Sequence, residues 1–139
     1  MKNRAILESI VILLVMMFLY ASFGKYFDFA AFQRAMHNQP FPSWFSSFLI
    51  IIIPPMEMIT CILLVMKRTR GKGLLAATIL MTVFTLYIGA IFLHLFPRVP
   101  CSCGGIIRLL GWRGHLLFNL FFLGIAFTGL IIQKKHYST

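Results

Sequence analysis

Four long apolar segments alternate with short polar segments along the chain. The apolar segments cover about residues 5–23, 44–66, 74–96 and 114–132. Each is close to the ~20 residues that an α-helix needs to cross the hydrocarbon core of a bilayer. The pattern therefore predicts an all-α protein, an integral membrane four-helix bundle in which residues 1–139 form a single membrane domain.

The first apolar segment fits two interpretations. A basic start at Lys2 and Arg4, followed by an apolar run, is typical of a signal peptide as well as of a membrane span. The run is long for a signal core and no convincing small-x-small cleavage site follows it, so we expect a retained span. Glu8 lies near its start, where we expect the carboxylate to remain at the level of the lipid headgroups.

Short interfacial helices are expected in the two loops that follow the first and third spans. In the first of these loops, apolar residues recur with helical spacing at Phe29, Phe32 and Met36, and Asp28 is a fair N-cap. An ordinary connecting loop with aromatic anchors fits the same stretch equally well. In the other loop, residues 106–112 have an interfacial composition and precede the fourth span.

The composition excludes an ordinary soluble domain. The chain is 60% hydrophobic with a mean hydropathy of +0.89, and it is 12% charged, against about 25% in soluble domains. The formal net charge of +10 comes from 13 Lys and Arg residues against three acids. Because the basic residues cluster at the ends of the apolar runs, we expect the lipid bilayer and its anionic headgroups as partner, and no nucleic acid.

The basic residues are unequally divided between the two sides of the membrane that four spans define. The side with both termini and the second loop holds Lys2, Arg4, Lys67, Arg68, Arg70, Lys72, Lys134 and Lys135. The opposite side holds Lys25, Arg34, Arg98, Arg108 and Arg113. The positive-inside rule then predicts cytoplasmic termini in a bacterial inner membrane and a periplasmic loop between the third and fourth spans.

The second span carries polar residues that are costly at membrane depth. Pro54 and Pro55 fall near its middle and are expected to kink the helix. Glu57 follows within one turn, so it should face the bundle interior and meet a Tyr, Thr or His of another span, or stay protonated. A proton-handling group and a plain interhelical hydrogen bond fit it equally. Ser43 is expected to cap this span, and Cys61 to be a buried apolar thiol.

The third span follows a basic loop and carries a stripe of small residues. Residues 67–73 are predicted to form the loop. Beyond it, small side chains recur at spacings of four, three and four, at Thr78, Thr82, Thr85 and Gly89. This stripe predicts a face that packs against another helix.

Candidate chemistry lies between the third and fourth spans. Cys101-Ser102-Cys103 is followed by two glycines, and a disulfide across one intervening residue closes a strained, easily reduced ring. Nearby arginines and the N-terminal end of the following helix favour a thiolate. His94 and His115 flank the loop as candidate proton carriers. The pattern favours a redox pair of the kind found in thiol–disulfide oxidoreductases and leaves open whether catalysis occurs.

Two other interpretations use the same atoms. Cys101, Cys103, His94 and His115 form a set of two thiols and two imidazoles that suits zinc or copper, although Cys-x-Cys is tighter than the usual zinc spacing. Alternatively, the cysteines form a locked disulfide or stay idle, and both histidines are ordinary interfacial residues.

The motifs, taken in chain order, resemble those of the DoxX-like superfamily, and within it the MauE family of small membrane proteins linked to methylamine utilisation. The resemblance covers about residues 10–128. The matching residues are Gly24-Lys25, Asp28, Phe32, Pro54, Glu57, Gly71-Lys72-Gly73, Cys101-Ser102-Cys103-Gly104, Trp112, His115 and Asn119.

The resemblance implies a function that the residues alone do not. Proteins of this kind are proposed to help form or maintain disulfides in a periplasmic partner, chiefly a methylamine dehydrogenase subunit. For this chain it implies disulfide exchange between Cys101/Cys103 and a thioredoxin-like or secreted protein, with Glu57, Lys25 and Asn119 as polar residues inside the bundle. A quinone is the electron carrier suggested by analogy with other four-helix disulfide-forming membrane proteins, and no residue identifies it.

Two rival functions stay open at this point. The first is a non-enzymatic assembly subunit that stabilises a partner's membrane domain, in which case replacing both cysteines of the pair leaves the partner intact. The second is a metal or small-solute carrier that uses the thiols and Glu57. A metal carrier would hold stoichiometric metal after purification and lose it when both cysteines are replaced.

Overall fold

The computed structural model describes residues 2–37, 42–93 and 105–137, and its regular secondary structure in these ranges is helical throughout. The helices are α1 (Lys2–Phe27), α2 (Phe29–His37), α3 (Ser43–Val65), α4 (Arg70–Phe92) and α5 (Gly105–Tyr137). Four stretches are long and apolar enough to cross a membrane, at Lys2–Phe27, Ser43–Val65, Arg70–Ala90 and Arg113–Lys135. The prediction of an all-α membrane protein with four spans is therefore confirmed.

The four long helices form a ring in the order α1, α3, α4, α5, and α4 and α5 are the most extensively packed pair. Neighbours in this ring run antiparallel, because each span reverses the direction of the one before. The core contains side chains from all four helices, among them Leu14, Phe18, Leu64, Leu74, Met81 and Ala126. Many apolar side chains on the outer faces are exposed, as expected for helices whose outer surface faces lipid.

Two glycines allow close approach between helices, and neither belongs to the predicted small-residue stripe. A Cβ placed at Gly73 would lie 2.7 Å from the backbone nitrogen of Leu64, and one at Gly129 would lie 2.9 Å from Ile10 Cγ2. No other described atom lies within 4 Å of a Cβ placed at Gly89. The packing role of Gly89 therefore stays a prediction, and the threonines of that stripe donate their hydroxyl hydrogen bonds to carbonyls of their own helix.

α2 is the short helix predicted after the first span. Asp28 Oδ1 accepts a hydrogen bond of 3.2 Å from a backbone N–H in the first turn of α2, so the predicted N-cap is confirmed. Phe32 and Met36 are buried and form a small apolar cluster with Ile50 of α3. Phe29, assigned to the same face, is 40% exposed. α2 is therefore held against the start of α3 by two of the three residues of its predicted apolar face.

Three helix boundaries differ from the predictions. Ser43 is the first helical residue of α3, and the N-cap is Pro42, so the assignment of Ser43 as cap is wrong. The predicted loop over residues 67–73 is shorter, because the chain turns at residues 66–69 and α4 begins at Arg70. α5 runs without a break from Gly105, so residues 106–112 belong to the same helix as the fourth span instead of forming a separate helix. No proline interrupts α5, and its glycines are tolerated within the helix.

Candidate functional site

Lys25 and Glu57 form an ion pair inside the bundle. Lys25 Nζ lies 2.7 Å from Glu57 Oε1 and 3.0 Å from Oε2. The Lys25 side chain is 12% exposed and that of Glu57 is 2% exposed. An isolated charge at such a depth is expensive, and the pair offsets that cost with two charge-assisted hydrogen bonds.

The antiparallel arrangement of α1 and α3 brings these two side chains together. Cys61 Sγ lies 3.8 Å from the Val15 carbonyl oxygen, which fixes the relative height of the two helices. Lys25 lies ten residues after Val15 on α1, and Glu57 lies four residues before Cys61 on α3. Because the two helices are antiparallel, both displacements are toward the same end of the bundle. The two Cα atoms therefore differ in height by roughly 9 Å. Helical side chains lean toward the N-terminus of their helix, so these two lean toward each other and the long lysine closes the gap.

The ion pair lies where three helices meet. Lys25 Nζ also lies 5.9 Å from the centre of the Phe32 ring on α2, within the range of a cation–π contact. Asp28 caps that helix, and Pro54 is buried on the same face of α3 as Glu57. Three residues that carry the family resemblance, Lys25, Phe32 and Glu57, thus lie in contact although they belong to three different helices.

The sequence predicted an inward-facing Glu57, which is confirmed, but the partner expected for it was wrong. A Tyr, Thr or His of another span was expected, and the partner is Lys25. The family resemblance grouped Lys25 with Glu57 inside the bundle, whereas the span limits placed Lys25 in a loop because the first span was taken to end at residue 23; α1 continues to Phe27. The available signal was charge balance, because Lys25 is a cation only two residues beyond the end of the first apolar run.

A second ion pair joins helix ends at the opposite end of the bundle. Arg70 Nη1 lies 2.9 Å from Glu8 Oε1, and Arg70 Nε donates a 3.3 Å hydrogen bond to the Leu64 carbonyl at the end of α3. The Arg70 side chain is 10% exposed and that of Glu8 is 39% exposed. Arg70 was predicted to lie in a basic loop, which is wrong, because Glu8 and the free carbonyls of α3 draw it into the bundle.

His115 and Asn119 lie on one face of α5, four residues apart. Asn119 is buried and His115 is partly buried, and both are polar groups inside the bundle. Gly129 of α5 packs against Leu74 near the start of α4, so Asn119 lies about 15 Å from that level toward the α4–α5 connection. Glu57 leans toward the same end. The buried polar residues predicted from sequence therefore lie in the half of the bundle that carries the α4–α5 connection.

The remaining predicted site residues lie outside the described ranges. These are Cys101, Cys103 and His94, so their role as a redox pair with a proton carrier stays a prediction. Of the four ligands considered for a metal, only His115 is described, and the metal site stays a prediction as well. Cys61 is 4% exposed and lies in the apolar core, which confirms its interpretation as a buried thiol.

The fold and its buried ion pair define a multi-pass membrane protein built on four apolar helices. A model of the family described as methylamine utilisation protein MauE matches residues 3–132. The chain therefore belongs to the MauE family. Comparisons with curated proteins and with solved structures gave no match. The wider DoxX-like relationship stays a prediction.

Proposed function

We propose that this MauE-family protein exchanges disulfides with a thioredoxin-like or secreted partner through Cys101 and Cys103, in support of methylamine utilisation. The observation that supports the proposal is the start of α5 at Gly105, two residues after Cys103 in the sequence. The first N–H groups of a helix carry a partial positive charge that stabilises a nearby thiolate. The thiolate is the form that attacks a disulfide.

The exchange itself is balanced. A thiolate of the reduced protein attacks one sulfur of the other protein's disulfide, and a mixed disulfide forms while the second sulfur leaves as a thiolate. The remaining thiolate of the attacking pair then breaks the mixed disulfide. One disulfide forms for each one broken, and two electrons pass between the proteins. Two thiol protons are released by the pair that becomes oxidised and two are taken up by the other pair.

The polar residues of the bundle have supporting roles in this proposal. His115 lies ten residues after Gly105 on α5 and would carry protons for the thiols, as would His94. Lys25, Glu57 and Asn119 would hold the helices in register beneath the loop. A quinone that accepts electrons from the pair is compatible with this scheme, and the described residues do not identify a site for it.

The proposed orientation places both termini in the cytoplasm of a bacterium and the Cys101/Cys103 loop in the periplasm, with the bundle in the inner membrane. Two of the basic residues that define the charge asymmetry, Lys25 and Arg70, are neutralised by carboxylates in the structure. One belongs to each side in the charge count, so leaving both out does not change the difference in the number of basic residues between the two sides. The side with the termini still has more of them.

The deciding experiment is thiol trapping in intact cells with a membrane-impermeant maleimide, before and after mild reduction, in a Cys61→Ala background. Labelling of Cys101 and Cys103 only after reduction is the expected result. Labelling without reduction would contradict a resident disulfide. An absence of labelling in both states, with an exposed engineered cysteine labelled at residue 34, would place the loop on the other side or in the interior.

Replacing the same two cysteines distinguishes an assembly subunit from an enzyme that exchanges disulfides. Cells carrying Cys101→Ser/Cys103→Ser should accumulate the partner with its cysteines reduced or wrongly paired, which is read by alkylation and gel mobility. Intact partner disulfides in that strain, together with loss of the partner when the whole protein is deleted, would indicate the assembly role instead. Metal that copurifies stoichiometrically and is lost in the double variant would indicate the carrier.

A further inference from the structure

We propose that the seam between α1 and α3 binds one anionic phospholipid, with its headgroup on the α3–α4 turn and one acyl chain along the helices. The seam contains a groove of about 260 Å³. It is lined by Val15, Leu19, Met58, Cys61, Ile62, Val65 and Met66. Every one of these side chains is apolar or a thiol, so the groove suits a hydrocarbon chain.

The length and depth of the groove match one leaflet. Its lining extends from Met58 on α3 to Met66, the C-cap residue that directly precedes Lys67. This stretch of helix is about 12 Å long, close to the ~15 Å from the edge of the hydrocarbon to its middle. Ile62 and Val65 are 56% and 60% exposed, so the groove opens toward the surrounding lipid. An acyl chain can therefore enter from the side.

The turn at the end of the groove supplies the charge for the headgroup. Lys67 and Arg68 follow Met66 directly and are exposed. In the described part of the chain neither of them forms a salt bridge, and the nearby Glu8 is held by Arg70. Two exposed cations beside an apolar groove are complementary to a phosphate headgroup with its attached chain. This complementarity favours an anionic lipid over a zwitterionic one.

A second copy of the chain fits the same groove less well. A two-fold axis along the membrane normal that joined two such seams would bring the two basic turns to the same side of the membrane and close together. Lys67 and Arg68 would then face their own counterparts, and like charges at close range are unfavourable. The charge that attracts a phospholipid thus opposes self-association through this seam.

Native mass spectrometry of the delipidated full-length protein in detergent tests the proposal. Titrations with dioleoyl phosphatidylglycerol and dioleoyl phosphatidylcholine give the two affinities. The wild type should bind phosphatidylglycerol more tightly, and Lys67→Gln/Arg68→Gln should reduce that preference roughly 10- to 30-fold. The matched control is Lys2→Gln/Lys134→Gln, which removes two exposed charges from the same end of the bundle and should leave the preference within about twofold.

Two further arms test the groove. Ile62→Trp replaces a lipid-facing side chain with a larger one, and should weaken both lipids while leaving their ratio unchanged. Dihexanoyl phosphatidylglycerol should bind more weakly than the dioleoyl form, because its chains are too short to fill the groove. Equal affinity for both headgroups, equal effects of the two charge variants, or dimers that Ile62→Trp dissociates would each overturn the proposal.

Discussion

Lys25 Nζ and Glu57 Oε1 lie 2.7 Å apart, although 32 residues separate them in the sequence. The pair connects α1 to α3 and, through the Phe32 ring, to α2. A buried ion pair of this kind adds little to stability compared with an apolar pair of the same size, but breaking it from one side is costly. Its value lies in fixing which residues of α1 and α3 face each other.

Removing one member of this pair should destabilise the protein more than removing both. Lys25→Met leaves the Glu57 carboxylate buried without a cation, and we expect a loss of about 3–5 kcal/mol. Lys25→Met/Glu57→Leu should recover most of that loss. Unfolding in detergent micelles with increasing SDS measures both values. A double variant as unstable as the single one would show that packing, not the unpaired charge, sets the cost.

Glu57→Leu should cost less than Lys25→Met. Lys25 lies near the end of α1, so without its carboxylate the ammonium group can extend toward the membrane surface along its long aliphatic stem. Glu57 is short and lies deeper in the bundle, so it has no such route. The same SDS titration ranks the two single variants, and the reverse order would contradict this account.

The Glu8–Arg70 pair should be asymmetric in its effect on stability. Glu8→Gln removes a half-exposed charge and should cost less than about 1 kcal/mol. Arg70→Met also removes the hydrogen bond to the Leu64 carbonyl and should cost about 2 kcal/mol. Thermal unfolding in detergent measures both, with Arg68→Met as an exposed control near zero. Equal losses for the two pair members would argue against the role of the Leu64 carbonyl.

Replacing three glycines with alanine, one at a time, should change the stability of the protein by different amounts. Gly73→Ala places a methyl group against the backbone of α3, which cannot move aside, and should cost about 1–3 kcal/mol. Gly129→Ala meets the side chains of Ile10 and Leu74, which can adjust, so its cost should be smaller. Gly89→Ala should be neutral or stabilising, because alanine is the better helix former. Thermal unfolding of the three variants tests this order, and a loss at Gly89 would contradict it.

The N-cap of α2 can be tested with a conservative pair. Asp28→Ala should destabilise α2 by about 1 kcal/mol, and Asp28→Asn should retain most of the cap. Hydrogen exchange of the amides of α2 reports the local stability, because a weakened cap raises their exchange rates. Equal exchange rates in both variants would show that the packing of Phe32 and Met36, not the cap, holds α2.

Features set by local chemistry were predictable from the sequence. The four spans follow from long apolar runs, and the Asp28 cap follows from residue types a few positions apart. The cap of α3 was harder, because Ser43 suits the N-cap position by type, whereas the backbone places Pro42 there. An N-cap is therefore easier to predict where one residue is the only candidate, as at Asp28, than where two neighbouring residues compete, as at Pro42 and Ser43.

Features that depend on the relative position of helices were not predictable. The direct contact between Lys25 and Glu57 was not predictable, because the length of the lysine side chain and the direction in which both side chains lean decide whether the two charges meet. Gly73 and Gly129 permit close packing only because of what faces them, whereas Gly89 is the same residue type with no described atom within 4 Å of an added Cβ. Arg70 was taken as part of a solvated loop because its partner, Glu8, is 62 residues away.

The uninterrupted α5 changes how far the chain rises above the bilayer. Its 33 residues are about 50 Å long, whereas the hydrocarbon core is about 30 Å thick, so about 20 Å of helix extends past the hydrocarbon at its two ends together. The headgroup layer on one side is only about 6 Å thick, and an ordinary tilt of ~20° shortens the extension very little. At least one end of α5 is therefore in reach of a folded, water-soluble protein that never touches the lipid.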